Sequence, residues 1–243
     1  MERTEEEYIA VDLEMTGLRV TRDRIIEIGA VRVKNGTLTE TFSSFLNAHR
    51  RLETKITELT GITDRMLAEA PEQEEVIRKF LEFAGECTLI GHNLIFDYAF
   101  LKQAAVNQGL TFERTGIDTL KLARRLLPAE QKKTLGALEE YFSLHPQRQH
   151  RALDDAMASA RIYLRLKEQY GTEDPDIFMP KPLCYAVKKQ TPITPPQKRD
   201  LNHLIMYHKI NTNMDLDHLT RSEASRMIDQ IHAKYGRIDE KKH

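Results

Sequence analysis

Residues 8–18 read YIAVDLEMTGL. Ile9, Val11 and Leu13 alternate with the other side chains, which is the period of a strand. Side chains two apart on a strand project to the same face. Asp12 and Glu14 therefore leave the strand together while Leu13 enters the opposite layer. Two carboxylates at that spacing repel, and each holds its proton more tightly unless a cation lies between them. Hard divalent cations take such oxygen ligands. An isolated Asp-x-Glu is more often just the acidic face of an edge strand, so the pair needs support from elsewhere in the chain.

Downstream, residues 25–33 (IIEIGAVRV) are rich in β-branched side chains. Asn35-Gly36 follows as a hairpin signal, and residues 37–45 return as a third strand. The chain thus opens on an antiparallel meander. Glu27 stands between Ile26 and Ile28, and the alternation puts it on the polar face of its strand, supporting the acidic pair or facing solvent. Val76, Ile77, Phe80, Leu81 and Ala84 fit a helix begun by Pro71 and ended by Gly85. Residues 88–91 form a buried strand, and Asn93 is placed to cap a helix running to Gly109. A short strand at 116–118 leads into a helix that stops before Pro128, with Asp118 as its cap. Helices follow at 134–142 and 154–170. Strands first, then alternating helix and strand, describe an α/β chain with a mixed sheet and helices on its faces.

Composition changes after Gly171. Six prolines fall between 175 and 196, which reads as an extended linker. Leu201, Leu204 and Ile205 mark one further helix. Thr220-Arg-Ser-Glu223 is a capping box for another, with Ala224, Met227, Ile228, Ile231 and Tyr235 on one face. The expected organisation is an α/β domain at 1–171, a proline-rich linker at 172–197 and a small helical module at 198–243.

Two more stretches carry chemistry. Residues 91–101 (GHNLIFDYAFL) pass from strand to helix and put Asp97 in the first helical turn, a favourable place for any acid. Residues 150–164 (HRALDDAMASARIYL) offer adjacent aspartates that helix geometry separates. Asp154 shares its face with Arg161 and Arg165 and looks outward; Asp155 shares its face with Ile162 and Leu166 and looks inward. An inward carboxylate needs a partner. His150 precedes the helix and can reach the same centre. His145 and His218 are given no role.

Apolar residues make up 40% of the chain and charged residues 30%, with a net charge of −1. Such a balance excludes a binder that works by a global basic field. Cys87 and Cys184 lack metal-ligand spacing, the N-terminus has no secretory core, and no stretch approaches a membrane span. No membrane is expected as a partner, and a cytoplasmic location follows.

Taken together, the three acidic stretches resemble the motifs of the DEDDh branch of the DnaQ-like superfamily, the RNase H-like, DNA polymerase III epsilon-type exonucleases. Asp12 and Glu14 match the first motif, Asp97 the second, and His150 with Asp155 the third, over residues 8–171. The resemblance implies an RNase H-like fold with a five-stranded sheet and a 3′–5′ exonuclease that releases nucleoside 5′-monophosphates from DNA or RNA ends. It further implies two ions, Mg²⁺ or Mn²⁺, per active site. Asp12, Glu14 and Asp155 hold one; the other leans on Asp12, with Asp97 helping through water. His150 is the general base, a role suited to a side chain that titrates near neutrality. Thr16 and Gly17 match a turn that contacts the terminal nucleotide. Residues 56–63 (ITELTGIT), with Leu59 and Thr60, resemble the loop that packs on the terminal base, although some relatives carry His where Thr60 stands. His92 and Asn93 are either substrate-side support or simply a turn and cap.

Two rival readings are a catalytically silent nucleic-acid- or polymerase-binding module on the same fold, and an RNase H-like endonuclease or nucleotidyl transferase. The complete motif set disfavours the first, and the histidine disfavours the second. Expected partners are single-stranded or frayed 3′ ends of DNA or RNA. The C-terminal module either docks on a polymerase, another replication or repair protein or nucleic acid, or caps the catalytic domain. DNA and RNA preference stay open.

Overall fold

Strand β1 (Glu7–Met15) is central to a mixed sheet of six strands, ordered β3-β2-β1-β4-β5-β6. In the computed structural model, which describes residues 6–144, 150–188, 190–212 and 215–238, β2 (Ile25–Lys34) runs antiparallel to β1 and to β3 (Thr37–Phe45). Asn35 and Gly36 join β2 and β3, both at positive φ (49° and 78°), as a two-residue hairpin turn demands. β4 (Thr88–Gly91) lies parallel to β1, and β5 (Thr115–Asp118) parallel to β4. The alternation on β1 builds both layers. Ile9, Val11 and Leu13 pack on one side with Phe80, Tyr98 and Phe112, and Ala10 packs on the other with Ile90, Ile162 and Tyr163.

Among the described residues, seven helices accompany this sheet: α1 (Thr54–Thr60), α2 (Asp64–Ala68), α3 (Gln73–Ala84), α4 (Ile95–Asn107), α5 (Thr119–Leu126), α6 (Leu135–Tyr141) and α7 (Ala152–Tyr170). The architecture is the RNase H-like one, with a sixth strand beyond the five expected. β6 (Lys181–Pro182) pairs antiparallel with β5, at the sheet edge where proline is tolerated. It lies in the stretch read as a linker. A 3₁₀ turn, Pro175–Phe178, precedes it and buries Phe178 in the second apolar layer. The first compact unit accordingly comprises residues up to Ala48 and Leu52–Val187, running on past Gly171.

Two local readings change and one holds. Residues 56–63 are largely helical, not loop: α1 closes on Gly61 at φ 71°, and the Thr63 side chain caps α2 by accepting from the Met66 N–H. Asn93 does not cap α4. It adopts φ 67° and donates its backbone N–H to Asp118 Oδ1 at 3.1 Å, so the helix starts after Leu94. Asp118 does cap α5, accepting from the Leu120 and Lys121 N–H groups.

The second unit consists of His49–Arg51 and the chain from Lys188 onward. Its helices α8 (Pro195–Tyr207) and α9 (Arg221–Tyr235) each begin with a complete capping box, Thr194 with Gln197 and Thr220 with Glu223. Leu201, Leu204, Leu219 and Ile231 form its core. No helix among the described residues is long and apolar enough to cross a membrane. His145 lies outside the described residues.

Candidate active site

β1 delivers Asp12 and Glu14 side by side, opposite Gly29 and Glu27 of β2 in the ladder. α4 supplies Asp97 from its first turn, and one carboxylate oxygen accepts the Leu13 N–H at 3.2 Å, tying the helix start to β1. α7 supplies Asp155 from its first turn. His150 lies two residues before α7 at φ 61°, a left-handed conformation that histidine tolerates better than most side chains. Donor atoms of Glu14, His150 and Asp155 all lie within 4.8 Å of one another. Asp12 does not belong to that trio, but it feels the charges of Asp97, Asp155 and Glu14.

The electrostatics follow from packing acids together away from water. Burial first, and then the charges of Asp97, Asp155 and Glu14, raise Asp12 well above the usual carboxylate range. Burial, Asp155 and Glu27 push Glu14 up to about 8, against the pull of Arg151. Burial pushes Asp97 up to about 8 despite its backbone hydrogen bonds. Asp155 is pushed up to about 6, mainly by burial, with the His150 backbone hydrogen bond opposing. Hard carboxylate oxygens with one imidazole, each acid holding its proton too tightly for want of positive charge, are a donor set that fits divalent cations.

Glu27 does more than the sequence indicated. It is 1% exposed, not solvated, because α7 covers its face of β2. Its carboxylate accepts two hydrogen bonds from Arg151 Nε, both at 3.2 Å, and one from Arg151 Nη2 at 2.8 Å. It also accepts the Ala152 N–H at 3.2 Å, an anion at a helix N-terminus. Two residues on, a Cβ at Gly29 would lie 2.0 Å from Leu153 N and 2.1 Å from Ala152 C. Gly29 and Glu27 together seat the start of α7, the element that carries Asp155. Glu139 of α6, 5% exposed, also adjoins Asp155. Asp154 is only half-buried and stays outside the 4.8 Å trio.

The other expected contacts divide. Thr16 braces the turn after β1: its N–H donates to Arg24 O, and its hydroxyl accepts the Arg24 N–H, each at 2.9 Å. Gly17 leaves room for the Asp23 carboxylate, whose atoms would come within 2.6 Å of a Cβ there. Leu59 is exposed, whereas Thr60 is buried and spends its hydroxyl on Ile56 O and the Ile62 N–H. His92 is engaged at both ring nitrogens, with Thr119 Oγ1 at 2.9 Å and Lys133 O at 2.8 Å. The Asn93 side chain faces solvent. Leu18 and Phe96, unremarked in the sequence, are exposed apolar side chains close in sequence to Glu14 and Asp97.

A family model described as exonuclease, RNase_T, matches residues 9–163, more than half of the chain. A PolC-type DNA polymerase III of Caldanaerobacter subterraneus subsp. tengcongensis is 43% identical over 165 residues, which cover 68% of this chain and 12% of that protein. The DNA polymerase III subunit epsilon of Aquifex aeolicus is 37% identical over 172 residues, 69% of this chain and 85% of the relative. Among solved structures, exonuclease X in complex with 5′-overhanging duplex DNA matches with a TM-score of 0.57 at 27% identity, covering 71% of this chain and 99% of that one.

Proposed function

The chain belongs to the RNase_T exonuclease family, and from that premise we propose that its first unit hydrolyses DNA or RNA from the 3′ end, releasing nucleoside 5′-monophosphates. The carrying observation is the convergence of Glu14, His150 and Asp155, from β1 and from the start of α7, to within 4.8 Å. Asp12 and Asp97 lie in the same field of charge.

Family membership implies a divalent metal cofactor. We assign it as Mg²⁺ or Mn²⁺, two ions per site, held by Asp12, Glu14 and Asp155 with Asp97 in support. Such ions, when bound, polarise the phosphate and favour ionisation of the attacking water. The residues themselves do the rest. His150 is exposed and stands beside Glu14 and Asp155, where its imidazole takes the proton of the incoming water. Glu27 and Arg151 hold the segment that presents it. The exposed apolar Leu18, Leu59 and Phe96 offer surfaces on which a terminal base stacks.

The relatives' names point to replication, and 3′ ends of DNA, single-stranded or frayed, are the substrate we favour. The C-terminal unit is then a docking module for a polymerase or another replication or repair protein. The two free cysteines suit a cytoplasmic setting.

The test incubates pure protein with 3′- and 5′-labelled single-stranded DNA and RNA, with Mg²⁺, Mn²⁺ or chelator. Metal-dependent release of 5′-monophosphates from the 3′ end supports the reading; internal cuts or 5′-end release refute it. In the same assay Asp155→Asn abolishes turnover and Asp154→Asn largely spares it. Equal losses would remove Asp155 from its special place.

A further inference from the structure

Arg151 stands between His150 and the start of α7, and its guanidinium spends only part of its donor capacity. Nε and Nη2 lie along one edge of the planar group, and both donate to Glu27 Oε1, at 3.2 and 2.8 Å. Nη1 donates to nothing among the described residues, and the side chain is 30% exposed. The outer edge, formed by Nη1 and the second N–H of Nη2, is therefore an open fork. Phe45 backs one face of the group, with its ring centroid 5.3 Å from Cζ. An arginine held in this way has little rotamer freedom left to lose when it binds an anion.

The sheet sets that fork beside the acidic cluster. Glu14, Glu27 and Phe45 lie opposite one another on β1, β2 and β3, one row across three strands. Strands are about 4.7–4.9 Å apart, so a guanidinium resting on Glu27 and Phe45 is a neighbour of Glu14. Its charge reaches Glu14 and opposes the rise in proton affinity there. The side-chain charges that act most strongly on Asp12 and Asp155 are all negative. Such a site repels a nucleic-acid strand, which carries a charge at every linkage. Divalent ions neutralise the linkage being cut. The next linkage along the strand still faces carboxylates, and Arg151 is the cation placed at their edge.

We propose that Arg151 is a substrate-binding residue whose outer N–H edge takes the backbone phosphate next to the one cut, while its inner edge stays on Glu27. The assignment rests on the exonuclease reading and deepens it, since a seat for α7 alone needs only the inner edge. Guanidinium and phosphate match as a two-point fork, which the single ammonium of a lysine does not reproduce. Glu27, 1% exposed, fixes the guanidinium from behind and does not itself meet the strand.

The test measures binding of 5′-labelled single-stranded oligonucleotides to the full-length chain by fluorescence anisotropy. Ca²⁺, which also takes oxygen ligands, replaces Mg²⁺, and the recovered strand is sized to confirm that it is intact. A neutral methylphosphonate is placed in turn at each of the three linkages nearest the 3′ end. At the second linkage it should weaken binding to the parent about 10-fold, the scale of a hydrogen bond between charged groups. In Arg151→Gln the same methylphosphonate should cost less than about 2-fold, because both changes remove one contact. Arg151→Gln should also flatten the slope of log Kd against log salt by about 0.7, one phosphate contact on a single strand. Glu27→Gln loosens the seat of α7 but leaves the arginine charged, so the second-linkage effect should survive there. Arg151→Lys, the variant to use should Arg151→Gln not fold, should keep the salt slope of the parent and bind more weakly. An equal methylphosphonate cost in parent and Arg151→Gln, an effect confined to the terminal linkage, or none at any linkage overturns the proposal. A strand that binds with the expected pattern but releases no monophosphate in Mg²⁺ would undo the exonuclease reading and leave the Arg151 contact standing.

Discussion

Glu14, Asp97 and Asp155 show how far a single side chain can be read from sequence. Their identities and their motif spacing were legible, because the strand period and the helical phase are arithmetic. Glu27 was legible only as one of two alternatives, since a polar residue between two isoleucines supports the site or faces solvent until the helix covering it is known. The raised proton affinities have a measurable consequence. Without metal, Glu14 and Asp97 near 8 and Asp155 near 6 keep protons that an unfolded chain, with carboxylates near about 4, releases. The folded state then binds more protons across roughly pH 4–8, so stability falls as pH rises through that window. Metal binding needs the deprotonated forms and becomes tighter over the same range. Chelator-treated protein should therefore melt at progressively lower temperature from acid to mildly alkaline pH. Glu14→Gln should flatten the trend, and Mg²⁺ should restore the alkaline melts. Rising stability over that window would refute these shifts.

Elements carry the geometry of the candidate site, and α7 with its seat on β2 is the decisive one. Residues 25–33 announced a strand, yet the same stretch held an unused signal: a glycine inside a strand marks the close approach of another backbone. Gly29 is such a place, with Leu153 N and Ala152 C at 2.0 and 2.1 Å from a would-be Cβ. Gly29→Ala must push the start of α7 away, and Asp155 and His150 move with it. A displacement on the order of 1 Å can cost about 10²-fold in rate. The expected outcome is a drop of roughly that size in kcat, with the sheet signal in circular dichroism retained; unchanged kcat would sink the idea. α1 and α2 escaped notice for a different reason. At 7 and 5 residues they are too short to display a period, and only their end signals, Gly61 and Thr63, mark them.

Across the whole molecule, the antiparallel meander and the alternation of helix and strand after it were legible, while the packing that continues past Gly171 was not. Prolines at 175, 180 and 182 suggested an open linker, but Phe178 is buried beside Tyr163, with ring centroids 6.3 Å apart. Apolar burial outweighed the local composition. A chain ending at Val187 should therefore keep the fold and nuclease chemistry of the first unit. One ending at Gly171 loses Phe178 and β6, and should be less stable by roughly 3–5 kcal/mol, the scale of deleting a buried Phe. Urea unfolding of the two truncations decides it, and equal midpoints would contradict the burial argument. The seat of α7 also sets a clock. Asp12 and Asp155 are 143 residues apart in the chain, so a ribosome working at about 5–20 residues per second delivers the second roughly 7–30 s after the first. Until α7 settles against Gly29, a nascent chain holds its early carboxylates without Asp155 beside them. The acidic cluster completes only when α7 has been made and has folded onto β2.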